Sequence, residues 1–231
     1  MIQACLNGGC GAPAPATPDD IACAARAAVD AGAEALHIHP RGADGAESLA
    51  PEDVSSCLLR VRAAVPGIPI GLGTGAWIAP GGRARHALMR AWTELPDYVS
   101  VNLCEEDAPE VMRLMQQMGI GIEAGLWSKA DAIRFVEENL PPVLRVLIEM
   151  PDVAPEDAAA EAETILRMLP NGLPMLLHGM GRSTWGMVNM AFARGLDTRI
   201  GFEDTVQMPD GTQAPDNAAL VWAVRELGNA Q

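Results

Sequence analysis

Two histidines separated by one residue are the part of this sequence that most directly indicates chemistry. They are His37 and His39 in the run EALHIHP, and a β-strand would place both on one face because its side chains alternate with period two. Two neutral imidazoles at one strand end suit a divalent transition metal such as Zn²⁺. The alternative is a pair of hydrogen-bonded core histidines, although the chain has only 4 histidines.

A carboxylate from a second strand would complete such a site, and the run TRIGFED supplies one. Glu203 shares its parity with Arg199 on the predicted strand, so we predict Glu203 as the third metal ligand. Three protein ligands with an open fourth position are typical of catalytic zinc sites. Asp204 follows directly, and we predict it as a base that Arg199 orients and keeps ionised. The alternative is that Arg199 and Asp204 form a plain ion pair.

Short apolar runs and longer helical patterns alternate along the chain and would position these residues. Eight such units in 231 residues predict an α/β fold, a (β/α)8 TIM barrel forming one domain over residues 1–231. The rival is a doubly wound open sheet, which the lack of a GxGxxG run after the first strand disfavours. Strands are predicted at 2–7, 34–39, 69–74, 98–103, 121–126, 144–150, 174–178 and 198–203. Helices are predicted at 17–32, 51–64, 83–92, 109–118, from 128, and at 155–168, 183–194 and 217–227.

Function in a barrel lies at the carboxyl ends of the strands, and several further residues fall there. Gly181 and Arg182 follow the seventh strand, where barrels often bind phosphate, and Arg182 suits a carboxylate or phosphate. His178 is a fourth ligand, an acid–base group or a polar core residue. His86 is expected at the surface. Other strand-end residues expected to face the substrate are Thr74, Ser100 and Asn102.

Composition excludes several other classes of protein. A net charge of -14, from 16 basic and 30 acidic residues, repels phosphate backbones, so nucleic acid is not an expected partner. Lys129 is the single lysine, and Schiff-base chemistry would have to use it. No secretory signal or membrane-spanning run is present, and 5 cysteines without a CxxC pair favour a reducing cytoplasm.

Five short runs occur in a fixed order over nearly the whole chain. They are HIHPRG after AGAEAL, GTG at 73–75, VSVN at 99–102, GMGR at 179–182 and RIGFEDT at 199–205. Together they resemble the β-keto acid cleavage enzyme family, of which this chain would be a short variant. The HxHxR and RxGxED motifs are fairly specific in combination.

The resemblance implies a zinc-dependent TIM barrel that is a homo-oligomer, a dimer or tetramer. It implies conversion of a β-keto acid and acetyl-CoA to acetoacetate and a new acyl-CoA. Residue by residue, it gives the zinc to His37, His39 and Glu203, the base to Asp204 and the paired arginine to Arg199. It further implies that Ser100 contacts the substrate and that Glu123 is an acidic residue of the pocket.

Three positions depart from the family pattern. Cys10 stands where the family has a glutamate that completes an Asp–Arg–Glu triad, and it cannot act in the same way. Gly73 stands where a serine often contacts the substrate, and His178 where a small residue is common. These changes alter the pocket. They affect the expected use of CoA more than the expected chemistry at the metal. Cys10 and Cys104 are expected to be bystanders.

Other functions remain open at this point. A metal-dependent barrel lyase or hydrolase would act on a small carboxylate without CoA. The amidohydrolase pattern, however, places HxH on the first strand and adds histidines on strands five and six. A class I aldolase would need Lys129, which falls past the end of the fifth strand. A non-catalytic metal-binding relative is the third alternative, which Cys10 keeps open.

Overall fold

Eight parallel strands close into a barrel in chain order, and β8 pairs back with β1. This computed structural model describes residues 1–9 and 14–229, and it confirms the predicted TIM barrel. The strands are β1 Ile2–Cys5, β2 Ala35–Ile38, β3 Ile70–Gly73, β4 Tyr98–Asn102, β5 Gly121–Leu126, β6 Arg145–Met150, β7 Met175–Gly179 and β8 Asp197–Ile200. The helices are α1 Pro18–Ala31, α2 Pro51–Ala64, α3 Arg85–Arg90, α4 Ala108–Gln117, α5 Lys129–Glu137, α6 Pro155–Met168, α7 Thr184–Ala193 and α8 Asn217–Asn229. Short 3-10 helices at Gly82–Ala84 and Gly181–Ser183 precede α3 and α7.

Local sequence signals fix the ends of α1 as predicted. Thr17 and Asp20 form a reciprocal capping box, and Pro18 opens the helix. Gly32 ends it with φ 120°, a left-handed conformation that disfavours a side chain. At α5 the pattern is only half realised. Ser128 accepts from the backbone N–H of Asp131, whereas the Asp131 carboxylate receives the N–H of the residue before Ser128.

The two faces of the strands differ in chemistry. Outward residues such as Leu36 and Ile38 are fully buried against the helices. The interior below the mouth is polar: the Gln3 amide donates to Tyr98 Oη at 2.9 Å and to Glu123 Oε1 at 2.8 Å. These contacts link β1 to β4 and β5 through the barrel interior and form a hydrogen-bonded floor.

Two predictions about local structure are wrong. Strand β8 ends at Ile200, and Glu203 lies in a turn rather than on the strand. The backbone N–H groups of Asp204 and Thr205 both donate to the Gly201 carbonyl, at 2.9 and 3.0 Å, so the turn replaces ladder pairing. Glu203 therefore reaches the mouth through the turn and not through strand parity.

His86 is the second error, because it is buried rather than at the surface. Only 5% of the residue is exposed, and its Nε2 lies 2.8 Å from Asp107 Oδ2. The charged character of the run RARHALMR suggested exposure to solvent, but Asp107, in the loop before α4, supplies a buried partner.

No helix in the described part of the chain is long and apolar enough to cross a membrane.

Candidate metal centre and active site

Strand β2 carries the two histidines to the mouth of the barrel. His37 is the third residue of β2, and His39 follows its end. Both are almost fully buried, and their Nε2 atoms lie 3.1 Å apart. Gly73, on the neighbouring strand β3, makes room for this arrangement, since a Cβ there would strike the His39 ring. The glycine that departs from the family pattern therefore lies directly against the His39 ring.

The turn after β8 brings Glu203 to the same point. Its Oε2 lies 3.6 Å from His37 Nε2, and its Oε1 lies 3.6 Å from His39 Nε2. Gly8, just beyond β1, leaves the space that the Glu203 side chain fills, because a Cβ at Gly8 would collide with it. One ligand atom from each of His37, His39 and Glu203 falls within 4.8 Å of the others.

This geometry fits a divalent metal. A tetrahedral zinc with bonds of about 2.0–2.1 Å holds its nitrogen ligands about 3.3 Å apart, close to the 3.1 Å between the two imidazoles. Glu203 Oε2 is buried and has no hydrogen-bond partner among the residues that the structure describes, which is costly unless a cation is its partner. The imidazole and carboxylate donor set suits zinc and neighbouring transition metals without selecting one.

Glu47 supports the site from outside, and nothing in the sequence identified it. Its Oε2 lies 3.1 Å from His39 Nδ1 and accepts the Trp77 indole N–H at 2.9 Å. A metal-ligating histidine usually has such a carboxylate on its second nitrogen, which orients the ring. Glu47 lies nine residues after the end of β2, in a polar run that resembles a surface loop. The sequence alone therefore does not place it beside His39.

Charge is unevenly distributed over the three ligands. Burial is the main cause that lowers the pKa of His37 to about 3, so that imidazole is neutral. Burial also lowers the pKa of His39, but the Glu203 and Glu47 carboxylates outweigh it and raise that pKa to about 9. Burial opposes ionisation of Glu203, yet Arg199 and both histidines hold its pKa well below the ordinary value. A metal would therefore displace a proton from His39 on binding.

Arg199 joins the predicted base to the predicted ligand. Its Nη2 donates to Glu203 Oε1 at 2.8 Å and to Asp204 Oδ1 at 2.9 Å. The Asp204 carboxylate is fully buried, and the Cys5 thiol donates to its Oδ2 at 3.0 Å. Burial raises the pKa of Asp204, but Arg199 and His178 outweigh this and lower it to about 2. Arg199 and Asp204 form the expected ion pair, and Arg199 also contacts Glu203, the predicted metal ligand.

His178 lies between two carboxylates. Its Nδ1 is 3.4 Å from Asp204 Oδ2, and its Nε2 is 3.3 Å from Glu149 Oε2. The side chain is fully buried. Burial and Arg199 lower the pKa of His178, whereas Asp204 and Glu149 raise it more, to about 9. Contacts between His178 and the three ligands are absent from the described residues, so a polar core role fits better than a fourth ligand.

Residues from β3, β4 and β6 complete a small cavity above the ligands. The Thr74 hydroxyl donates to the Ser100 carbonyl at 2.6 Å, and Trp127 Nε1 donates to Asn102 Oδ1 at 3.3 Å. Thr74, which follows β3, and Ser100 and Asn102 of β4 thus lie together at the candidate metal site. The cavity is lined by His37, His39, Gly73, Thr74, Gly75, Trp77, Ser100, Asn102, Trp127, Glu149, Arg199 and Glu203.

Three predicted substrate residues lie elsewhere. Glu123 is fully buried in the floor, where Arg145 Nε donates to its Oε1 at 2.5 Å. Gly181 donates its N–H to the Asp204 carbonyl at 2.8 Å and fixes the backbone of the base. The Arg182 side chain is two-thirds exposed and pairs with Asp152 at 2.8 Å. Gly181 and Arg182 border a neighbouring cleft that Glu203 and Asp204 also line.

The cysteines and the lysine add little to this site. Cys104 is exposed, and Cys10 lies outside the described residues. Burial and the Asp204 charge raise the pKa of Cys5 well above its ordinary value, so it is a thiol donor. Lys129 is exposed at the start of α5 and away from the barrel interior, which disfavours imine chemistry.

Comparisons with known proteins agree with this geometry. The β-keto acid cleavage enzyme family matches residues 1–230. A 3-keto-5-aminohexanoate cleavage enzyme from Fusobacterium nucleatum is 26% identical, over 93% of this chain and 85% of its own length. A 3-oxoadipate:acetyl-CoA acetyltransferase from Cupriavidus necator is 28% identical, over 87% of this chain and 77% of its own.

The fold is also similar to solved structures. ObcA in a binary complex with oxaloacetate superposes with a TM-score of 0.71 at 18% identity, covering 94% of this chain. The match spans only 64% of the ObcA chain. With the family match extending over nearly every residue and the His–His–Glu cluster assembled at the barrel mouth, the chain belongs to the β-keto acid cleavage enzyme family.

Proposed function

We propose that this protein converts a β-keto acid and acetyl-CoA to acetoacetate and a new acyl-CoA, with zinc as its metal. The observation that carries the proposal is the convergence of His37, His39 and Glu203 at the mouth of a barrel of this family. The two curated relatives share β-keto acid chemistry but differ in the acid named. At 26–28% identity, they support the reaction type rather than one substrate.

The metal site would be formed by His37, His39 and Glu203. A divalent metal held there supplies Lewis acidity toward the keto and carboxylate oxygens of the substrate. Glu47 orients His39, and Arg199 holds Glu203, so both ligands are fixed before substrate binds. Three protein ligands leave room for substrate oxygens, as in other catalytic sites.

Asp204 is the proposed base. It takes the proton from the carbon between the keto and carboxylate groups, and the electron pair of that C–H bond remains on the substrate as an enolate. Arg199 and the Cys5 thiol keep the Asp204 carboxylate ionised and oriented. The same proton returns at the end of the reaction, when the carbon–carbon bond has been cleaved and acetoacetate leaves.

The remaining steps occur between the two substrates. The enolate carbon attacks the acetyl thioester and expels CoA as a thiolate, which then attacks the original keto carbon. Cleavage of the old carbon–carbon bond gives the new acyl-CoA and acetoacetate. Thr74, Ser100 and Asn102 line the cavity where the keto acid would lie and would orient it for attack. Gly181 and Arg182 border the neighbouring cleft and are proposed to contact the substrates there.

A screen of β-keto acids with and without acetyl-CoA tests the proposal. The protein is incubated with each acid, and acetoacetate and acyl-CoA are measured by mass spectrometry. We expect both products in equal amounts, and only when acetyl-CoA is present. Consumption of an acid without acetyl-CoA would instead support a lyase or hydrolase. Bound metal with no turnover of any acid would support a non-catalytic relative.

A further inference from the structure

His178 is a buried ionisable residue that the proposed reaction does not use. It has no exposed surface, and it lies on β7 directly opposite Glu149 of β6 in the strand register. Its Nδ1 lies 3.4 Å from Asp204 Oδ2 and its Nε2 lies 3.3 Å from Glu149 Oε2, which are ion-pair contacts rather than aligned hydrogen bonds. A buried imidazole with an acid at each end is costly to desolvate unless both contacts are used.

The balance of charge at the mouth shows what His178 compensates. Three carboxylates, those of Glu149, Glu203 and Asp204, are buried or nearly so. Arg199 contacts Glu203 and Asp204, and its Nη2 donates to both. His178 is the one basic group within ion-pair distance of Glu149 in the described residues. Without it, Glu149 would have no cation within ion-pair distance among the described residues, and Asp204 would keep only Arg199.

The position of His178 also connects two layers of the site. Glu149 lines the cavity together with the predicted metal ligands, whereas Asp204 lines the neighbouring cleft. The imidazole spans the gap between them. Movement of its ring would therefore change the orientation of the base and of a cavity-wall carboxylate together.

We propose that His178 is a positioning residue, which bridges Asp204 to Glu149 and holds the base in line with the substrate. The proposal rests on the proposed function, because it takes Asp204 as the base. It predicts that the Nδ1 end of the ring matters most for proton removal, since that end faces Asp204. A misplacement of about 1 Å at a reacting group costs on the order of 100-fold in rate.

Two amide substitutions separate the ends of the ring. In His178→Asn the amide nitrogen falls near the position of Nδ1 and keeps a donor toward Asp204. In His178→Gln the amide nitrogen falls near Nε2 and keeps a donor toward Glu149 instead. His178→Leu removes both donors. All three variants lack the imidazole, and Asn and Gln differ in which carboxylate keeps a donor.

The experiment follows exchange of the C2 protons of acetoacetate in deuterium oxide without acetyl-CoA, by proton NMR, above the uncatalysed rate. Metal content and melting temperature are measured for each variant. We expect His178→Leu and His178→Gln to exchange about 100-fold more slowly than wild type, with metal retained. His178→Asn should recover at least tenfold over His178→Leu. His86→Leu removes a buried histidine outside the site and should exchange at the wild-type rate despite lower stability.

Two results would overturn the positioning role. One is an equal loss in His178→Asn, His178→Gln and His178→Leu, which would mean a general packing defect. The other is a wild-type exchange rate in His178→Leu. If wild type itself catalyses no exchange, the proposed function fails along with the role built on it. If a variant is too unstable to measure, Glu149→Gln tests the same bridge from its other end and should slow exchange, whereas wild-type exchange in it would contradict the bridge.

Discussion

Two buried clusters in this protein have nearly the same residue composition, but they differ in whether all their buried polar groups have hydrogen-bond partners. The loop cluster consists of Arg85, His86, Glu105 and Asp107, and the mouth cluster consists of His178, Arg199, Glu203 and Asp204. Each combines one arginine, one histidine and two acidic residues. Arg85 and Arg199 are both almost completely buried, at 0% and 1% exposure.

In the loop cluster every buried polar group has a partner. Arg85 donates to the carbonyls of Thr74 and Gly82, at 2.8 and 2.7 Å, and to both carboxylates. In the mouth cluster Glu203 Oε2 and both nitrogens of His178 lack an aligned hydrogen bond from any residue of the described ranges 1–9 and 14–229. A saturated network fixes loop structure, whereas an unsaturated one has capacity left for a ligand. Burial of charge alone therefore does not mark the active site.

The largest expected effect is the loss of the base from the mouth cluster. Asp204→Asn keeps the shape of the side chain but cannot accept the proton, so we expect kcat to fall by roughly 10²–10⁴-fold. Metal content should be unchanged, since Asp204 is not a predicted ligand. Steady-state kinetics with acetyl-CoA and metal analysis of the same sample measure both. Normal turnover would mean that another group is the base.

A substitution in the loop cluster should lower the stability of the protein rather than change the chemistry at the mouth of the barrel. Arg85→Met leaves Glu105 and Asp107 without their main cation, and breaking a buried pair in this way costs about 3–5 kcal/mol. We expect a large decrease in melting temperature with metal binding retained in the folded protein. Thermal unfolding followed by circular dichroism measures it. A stable Arg85→Met variant would show that the saturated network does not hold these loops.

A smaller effect is expected at the support of the metal centre. Glu47→Gln weakens the partner of His39 Nδ1, and loss of such support typically lowers metal affinity about 10–100-fold. Competition with a fluorescent zinc chelator measures the affinity. Glu52→Gln, an exposed acid at the start of α2, is the matched control and should bind as wild type does. Equal zinc affinity in both variants would mean that Glu47 does not support the metal site.

The smallest effect belongs to an exposed pair, Arg182 with Asp152. Hydrogen bonds from Arg182 hold the pKa of Asp152 below its ordinary value of 3.8. Any stability from this depressed pKa is present at neutral pH and lost as the pH falls below about 4. Because the pair is exposed, Asp152→Asn should change the melting temperature less than any variant above. Thermal unfolding of Asp152→Asn at pH 7 and at pH 3 should therefore give melting temperatures close to those of wild type. A decrease in melting temperature as large as that of Arg85→Met would contradict the expected difference between this exposed pair and the buried loop cluster.

The sequence predicted the barrel, because apolar periodicity, the capping box at Thr17 and Gly32 act locally. It also indicated His37 and His39, because histidine is rare in this chain and both stand at the end of a strand, and it indicated Glu203 from the run that contains β8. Local pattern could not reveal that β8 stops at Ile200, which depends on the turn at Gly201. Nor could it reveal the burial of His86 or the roles of Glu47 and Glu149. Those depend on partners from other loops and strands, which only the closed barrel brings together.

We expect β-keto acid cleavage to depend on a metal held by His37, His39 and Glu203. Titration of Zn²⁺ into chelator-stripped protein, with turnover of a β-keto acid and acetyl-CoA as the readout, tests this dependence. We predict negligible turnover without metal and a rise to a plateau at one equivalent per chain, and no rise for His37→Ala. Full turnover by the stripped protein, or an unchanged titration for His37→Ala, would contradict this dependence.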